Sequence, residues 1–97
     1  MNRDQWGFVV ESHGTGALSR ARRGTITTPH GPIQTPAFIP VGTKATVKAL
    51  SVEQVRASSA QAVLSNAYHL YLQPGAEILD RAGGLSSFMN WNGPTFT

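Results

Sequence analysis

The sequence contains no cysteine, which removes both a disulfide framework and any thiolate metal site. Histidine is scarce too. His13, His30 and His69 lie too far apart to put a pair of imidazoles on one element. Long apolar runs are also missing. The opening MNRDQWGFVV holds no hydrophobic stretch of signal-peptide length, and the run around Ala37–Val41 is broken by Pro40. The expectation is a soluble, cytoplasmic chain without a membrane span. Charged residues make up only 13% of the sequence, but a hydrophobic share of 40% is ordinary for globular material. At 97 residues there is room for one small domain or a piece of a larger one.

Charge is unevenly placed. Residues 1–48 carry six Lys/Arg against two Asp/Glu, whereas residues 49–97 carry two against three. Arg20, Arg22 and Arg23 cluster, and Lys44 and Lys48 follow Gly42. A basic half attracts polyanions such as RNA. The same charges also serve to keep a sheet edge soluble.

Residues 1–35 read as antiparallel hairpins. Phe8-Val9-Val10 is a short strand, HGTG (13–16) a turn, and 21–28 a second strand rich in β-branched residues. Thr28-Pro29-His30-Gly31 has the proline and glycine of a type I turn, and Ile33-Gln34-Thr35 returns as the partner strand. His30 is then a loop residue.

From Pro36 to Thr97 the pattern changes to β-α-β-α-β. PAFIPVG suits a strand buried on both faces. Ser51 and Gln54 have capping-box spacing, predicting a helix over 52–60 with Val52, Val55 and Ser59 on one side. AVLSNA (62–67) is the next strand. Pro74-Gly75 precedes a helix over 76–82 with Ile78, Leu79 and Ala82 facing inward, ended by a left-handed Gly83. Leu85, Phe88, Met89 and Trp91 supply apolar cover, and Gly93-Pro94 introduces a last strand at Thr95-Phe96-Thr97. Alternation of this kind implies parallel strands with right-handed crossovers. A strand about every 25 to 30 residues is close to the repeat of an eight-unit βα barrel. The fold class expected is α/β: antiparallel hairpins, then the first two βα units and the start of the third strand of an incomplete (β/α)8 TIM-like barrel. Two units and a stub cannot close such a barrel, so the ending reads as truncation. The open strand edge and apolar faces also predict poor solubility.

Ser65-Asn66-Ala67-Tyr68-His69-Leu70 puts polar groups where a buried strand ends, which in a barrel is the active-site face. An asparagine there equally suits unpaired loop backbone groups. The blocks TPHGPIQTPAFIPVGTKATVKAL (28–50), SNAYHLYLQPG (65–75) and GGLSSFMNWNGPTFT (83–97) narrow the choice. In their order, they resemble the N-terminal part of the tRNA-guanine transglycosylase, or queuine tRNA-ribosyltransferase, family, over about residues 22–97. Departures are small. The family more often has Gly-Asn-Thr-Tyr-His-Leu and Trp-Asp-Gly-Pro where this chain has Ser-Asn-Ala-Tyr-His-Leu and Trp-Asn-Gly-Pro. Tyr-His-Leu-Tyr-Leu-Gln-Pro-Gly (68–75) looks like the bacterial and eukaryotic branch rather than the archaeal relatives that modify another tRNA position.

The resemblance implies exchange of guanine at the tRNA wobble position for a 7-deazaguanine queuine precursor, through a covalent ribosyl-enzyme. It places both catalytic carboxylates, and a structural zinc held by cysteines and a histidine, beyond Thr97. This chain alone is therefore expected to be inactive and to hold no metal. The same resemblance puts Val41, Leu64 and Asn66 on the floor of the substrate site, the first two as apolar contacts to the ribose and its neighbour. Asn66 would hydrogen-bond near the carboxylates, and His69 is structural rather than a base. It assigns Lys44, Lys48, Leu70, Pro74, Phe88 and Met89 to a homodimer interface. Acidic groups of a second subunit would meet the lysines, with tRNA phosphate as the alternative; the apolar members would otherwise be ordinary helix packing. The competing reading is a free-standing small basic module that binds RNA or protein, although the interleaved aromatic and basic residues of a nucleic-acid platform are lacking.

Overall fold

The computed structural model describes residues 6–97; readings that rest on residues 1–5, including the start of the hairpin region and of the N-terminal segment, lie outside them. Strands β1 (Gly7–His13), β2 (Arg22–Thr27) and β3 (Ile33–Thr35) form an antiparallel sheet in the order β1-β2-β3. Val9 pairs with Thr25 and Val10 with Gly24, after which Glu11 is accommodated as a bulge and Ser12 pairs with Arg23. Gly24 is required by its neighbours: a Cβ there would lie 2.6 Å from the Val9 carbonyl oxygen. The β2–β3 turn forms as its composition demands, with the Gly31 N–H donating to the Thr28 carbonyl at 3.1 Å. The Thr28 hydroxyl donates to the Gly31 carbonyl at 2.6 Å.

The remaining elements are α1 (Val52–Ala57), β4 (Val63–Leu64), α2 (Ala67–Leu72), α3 (Ala76–Arg81), α4 (Leu85–Met89) and β5 (Thr95–Phe96). β4 pairs parallel with β5, and on its other side Val41 makes a parallel bridge to Leu64. Three neighbouring parallel segments therefore run in chain order. The fold is mixed α/β with an antiparallel hairpin region.

The expected strands are shorter than their apolar runs. PAFIPVG is irregular except at Val41, because Pro36 and Pro40 offer no N–H to a ladder. AVLSNA yields only Val63–Leu64, since Asn66 already caps the following helix. Helix α1 has the expected capping box: the Gln54 N–H donates to Ser51 Oγ at 3.1 Å, and the Ser51 N–H to Gln54 Oε1 at 2.8 Å. It stops at Ala57 instead of residue 60. The Ser58 hydroxyl donates back to the Val55 carbonyl at 2.6 Å, and Ser59 turns left-handed at φ 68°. In α3 only Leu79 packs against the core. Ile78 and Ala82 are exposed, contrary to expectation, and the helix is too short to bury both sides. Gly83 has the expected positive φ, 91°.

The core gathers Ala45, Val55, Val63, Leu70, Met89 and Trp91, with Val47, Val52, Ala60, Leu79 and Leu85 around it. Trp91 is 4% exposed; its indole N–H donates to the Pro94 carbonyl at 3.0 Å. The Arg56 guanidinium lies 5.7 Å from the Trp91 ring centroid and donates to the Asn90 carbonyl at 2.9 Å, tying α1 to the left-handed end of α4. Trp91→Ala is expected to cost about 3–5 kcal/mol, a large share of the stability of a small domain. Urea unfolding followed by circular dichroism checks this; an unchanged midpoint would place the core elsewhere.

Candidate functional site

The site is built on the C-terminal ends of the parallel segments. The Gly42 N–H donates to the Leu64 carbonyl at 2.6 Å, and the Leu64 N–H to the Pro40 carbonyl at 2.9 Å. On the opposite edge the Ser65 N–H donates to the Phe96 carbonyl at 2.8 Å. Beneath this surface Ser65 is fully buried, and its hydroxyl donates to the Gly42 carbonyl at 2.8 Å. Gly42 permits that approach. A Cβ would sit 3.1 Å from Val63 Cγ1 and 3.3 Å from Met89 Cε.

Val41 and Leu64 are thus adjacent. Val41 is 56% exposed despite its apolar character, and Leu64 is half-buried. Asn66 follows one residue after Ser65, exposed, as the N-cap of α2. Its Oδ1 accepts from the Tyr68 N–H at 2.8 Å, so the backbone-capping role anticipated for an asparagine here is real. The side-chain NH2 makes no hydrogen bond among the described residues, which leaves two donors for a ligand or carboxylate. The same side chain thus caps the helix through its oxygen while its nitrogen has no partner among the described residues.

Beside Val41 lies a groove of about 480 Å³ lined by Val41, Thr43, Lys44, Thr46 and Lys48. Lys44 and Ala45 both have left-handed backbone, φ 55° and 62°, an uncommon conformation for residues with a Cβ. Neither lysine forms an ion pair among the described residues. A second groove, of about 380 Å³, joins Lys44 to Phe88, Val47 and Val52. Phe88 is exposed and Pro74 half-buried. Leu70 and Met89 are buried in the same core cluster as Val63 and Trp91.

His30 occupies the exposed β2–β3 turn. His69 is exposed on α2, in edge contact with the Tyr68 ring at 5.8 Å. Among the described residues no group of three or more His, Cys, Asp or Glu could hold a metal ion, and no helix is long and apolar enough to cross a membrane. Sequence reasoning missed α2 altogether. Its signal was the same Asn66 read as a site residue, since an asparagine before an apolar-periodic run also marks a helix start. It missed α4 as well, which Gly84 precedes without a side-chain cap.

Residues 17–97 match the family described as Queuine tRNA-ribosyltransferase. The chain is 58% identical over 92 residues to the Queuine tRNA-ribosyltransferase of Synechococcus sp. (strain CC9605), covering 95% of this chain and 24% of that protein. It is 53% identical over 91 residues to that of Desulforudis audaxviator (strain MP104C), covering 94% and 24%. With that of Desulforapulum autotrophicum (strain ATCC 43914 / DSM 3382 / VKM B-1955 / HRM2) the identity is 60% over 79 residues, covering 81% and 21%. The chain spans about a quarter of the length of the curated relatives it matches.

Substitution tests the capping role of Asn66. Asn66→Ala is expected to lose about 1 kcal/mol through the missing cap, while Asn66→Asp, which also caps, stays within a few tenths of the parent. Equal losses in urea unfolding would show that the cap contributes nothing.

Proposed function

This chain belongs to the queuine tRNA-ribosyltransferase family, and from that membership we propose that it forms the N-terminal part of a tRNA-guanine transglycosylase. The reaction exchanges guanine at the wobble position of tRNA for a 7-deazaguanine. A carboxylate attacks the ribose anomeric carbon, guanine leaves, and the ribosyl ester is captured by the incoming base, so one hard displacement becomes two easier ones. A second carboxylate moves protons on the departing and entering bases. The target nucleotide leaves its stack to reach them.

One observation carries the assignment of parts: Val41, Leu64 and Asn66 lie together at the C-terminal ends of adjacent parallel segments, within the stretch matched by the family. In this reading Val41 and Leu64 form an apolar floor beneath the ribose. The spare N–H donors of Asn66 hold the catalytic carboxylates, which come from outside these residues. The parallel segments are the first members of a (β/α)8 barrel in a cytoplasmic enzyme. The enzyme is a homodimer, with Lys44, Lys48, Pro74 and Phe88 on the face toward the second copy. Its structural zinc is likewise held by residues outside this chain.

Incorporation of labelled guanine into tRNA tests the reading. The protein that carries this chain is expected to label tRNAs with guanosine at the wobble position, and residues 1–97 alone to label none. Labelling only at another position, or none by the whole protein, would refute it. Asn66→Asp is expected to lower kcat/KM at least about tenfold without unfolding, because it replaces two donors with a charge that repels the carboxylates.

A further inference from the structure

Among the described residues, one side chain hydrogen-bonds from the segment before β4 to the antiparallel sheet. Gln61 precedes β4 and lies next to β3, the open edge of the antiparallel sheet. Its Oε1 accepts from the Gln34 N–H at 2.7 Å, and its Nε2 donates to the Gln34 carbonyl at 2.9 Å. The carboxamide therefore satisfies both backbone groups that Gln34 turns away from β2, as one residue of a further strand would. Among side chains that are ordinarily uncharged at neutral pH, only Asn and Gln carry an acceptor and donors in this fork, and only Gln has the longer reach.

The backbone of Gln61 is itself fixed. Ala62 and Val63, which follow it, are fully buried, and its carbonyl oxygen would lie 3.2 Å from a Cβ on Gly93. A closed circuit results. From Gln34 the chain runs through the irregular link 36–39 to Pro40, Val41 and Gly42, which pair with Leu64. From Leu64 it returns through Val63 and Ala62 to Gln61, which grips Gln34. The link has no ladder of its own, and Phe38 within it is 84% exposed. It is held at its two ends.

We propose that Gln61 is a positioning residue: by fixing the N-terminal end of this link it keeps Val41 seated against Leu64, and so shapes the floor of the site. The consequence for catalysis rests on the function proposed above; the mechanical coupling does not. Gln61 acts at the N-terminal end of β4, remote from the reacting groups, and touches no substrate.

Amide hydrogen exchange in the whole protein tests it. Gln61→Met keeps the length and removes both polar groups. Protection is expected to fall about tenfold at Gln34, and also at Gly42 and Leu64, whose N–H groups hold the bridge. Val63 and Ser65, which donate to carbonyls of the β5 segment, are expected to keep theirs. Gln61→Glu supplies a second readout. The neutral carboxylic acid can accept from and donate to Gln34, whereas the carboxylate repels its carbonyl. Docking then favours the protonated form and raises its pKa, so protection should be weak at pH 7 and return as the pH falls through the acid's titration. In the guanine assay Gln61→Met should lose activity and Gln61→Glu should regain it on the same titration.

Loss of protection at Gln34 alone, with Gly42 and Leu64 unchanged, would overturn the positioning role. Unchanged protection at all three would overturn the latch itself. If the parent protein exchanges no guanine, the proposed function falls, while the amide pattern still decides the coupling.

Discussion

The contact on which the α/β part of this molecule depends is the short bond from the Gly42 N–H to the Leu64 carbonyl. It fixes the first parallel segment beside the second, and the Ser65 hydroxyl reinforces it by donating to the other side of Gly42. A buried hydroxyl left unpaired would cost about 1–3 kcal/mol, so the serine and the glycine constrain each other. A Cβ at residue 42 would press on Val63 Cγ1 and Met89 Cε, which would have to give by a few tenths of an ångström. The candidate site residues inherit their positions from this small assembly. Val41 precedes the glycine, Leu64 offers the carbonyl, and Asn66 follows the serine.

Packing extends the same constraint outward. Met89 reaches from α4 to within 3.8 Å of the Ser65 oxygen, and Trp91 closes the core below Arg56. Helices of five or six residues have little stability of their own. Each is held by one or two inward side chains and by its termini. The side chains of Ser51 and Asn66 serve the starts of α1 and α2, and the Arg56 guanidinium serves the end of α4. The apolar residues left outside this core, among them Phe38, Tyr71 and Leu72, are numerous for so small a body.

Much of this organisation is legible in the sequence because it rests on local chemistry. The Thr28–Gly31 turn, the Ser51–Gln54 capping box and the left-handed Gly83 follow from residue type and spacing alone. The change from hairpins to strand–helix alternation at Pro36 is similarly plain. Strand lengths were overestimated where proline removed donors, and α1 where Ser58 turned its hydroxyl back on the helix. The inward face of α3 was misjudged because periodicity predicts which side chains share a face, not whether a neighbour covers it. For the candidate site, the positions of Val41, Leu64 and Asn66 came from family resemblance, and residue chemistry by itself left Asn66 open between cap and ligand. The Gln61–Gln34 contact spans residues distant in sequence and leaves no periodic trace, so no local rule could have found it.

The placement of the two tryptophans has an optical consequence. Trp91 is sealed in the α/β core beneath a cationic guanidinium, whereas Trp6, at the start of the hairpin region, is 50% exposed. A dry indole emits to the blue of a hydrated one, and only the hydrated one is readily reached by a dissolved quencher. The two halves of the molecule therefore carry separate intrinsic lamps. Removing Trp6 would leave an emission spectrum belonging to the α/β half alone, from which its melting could be followed without any attached dye.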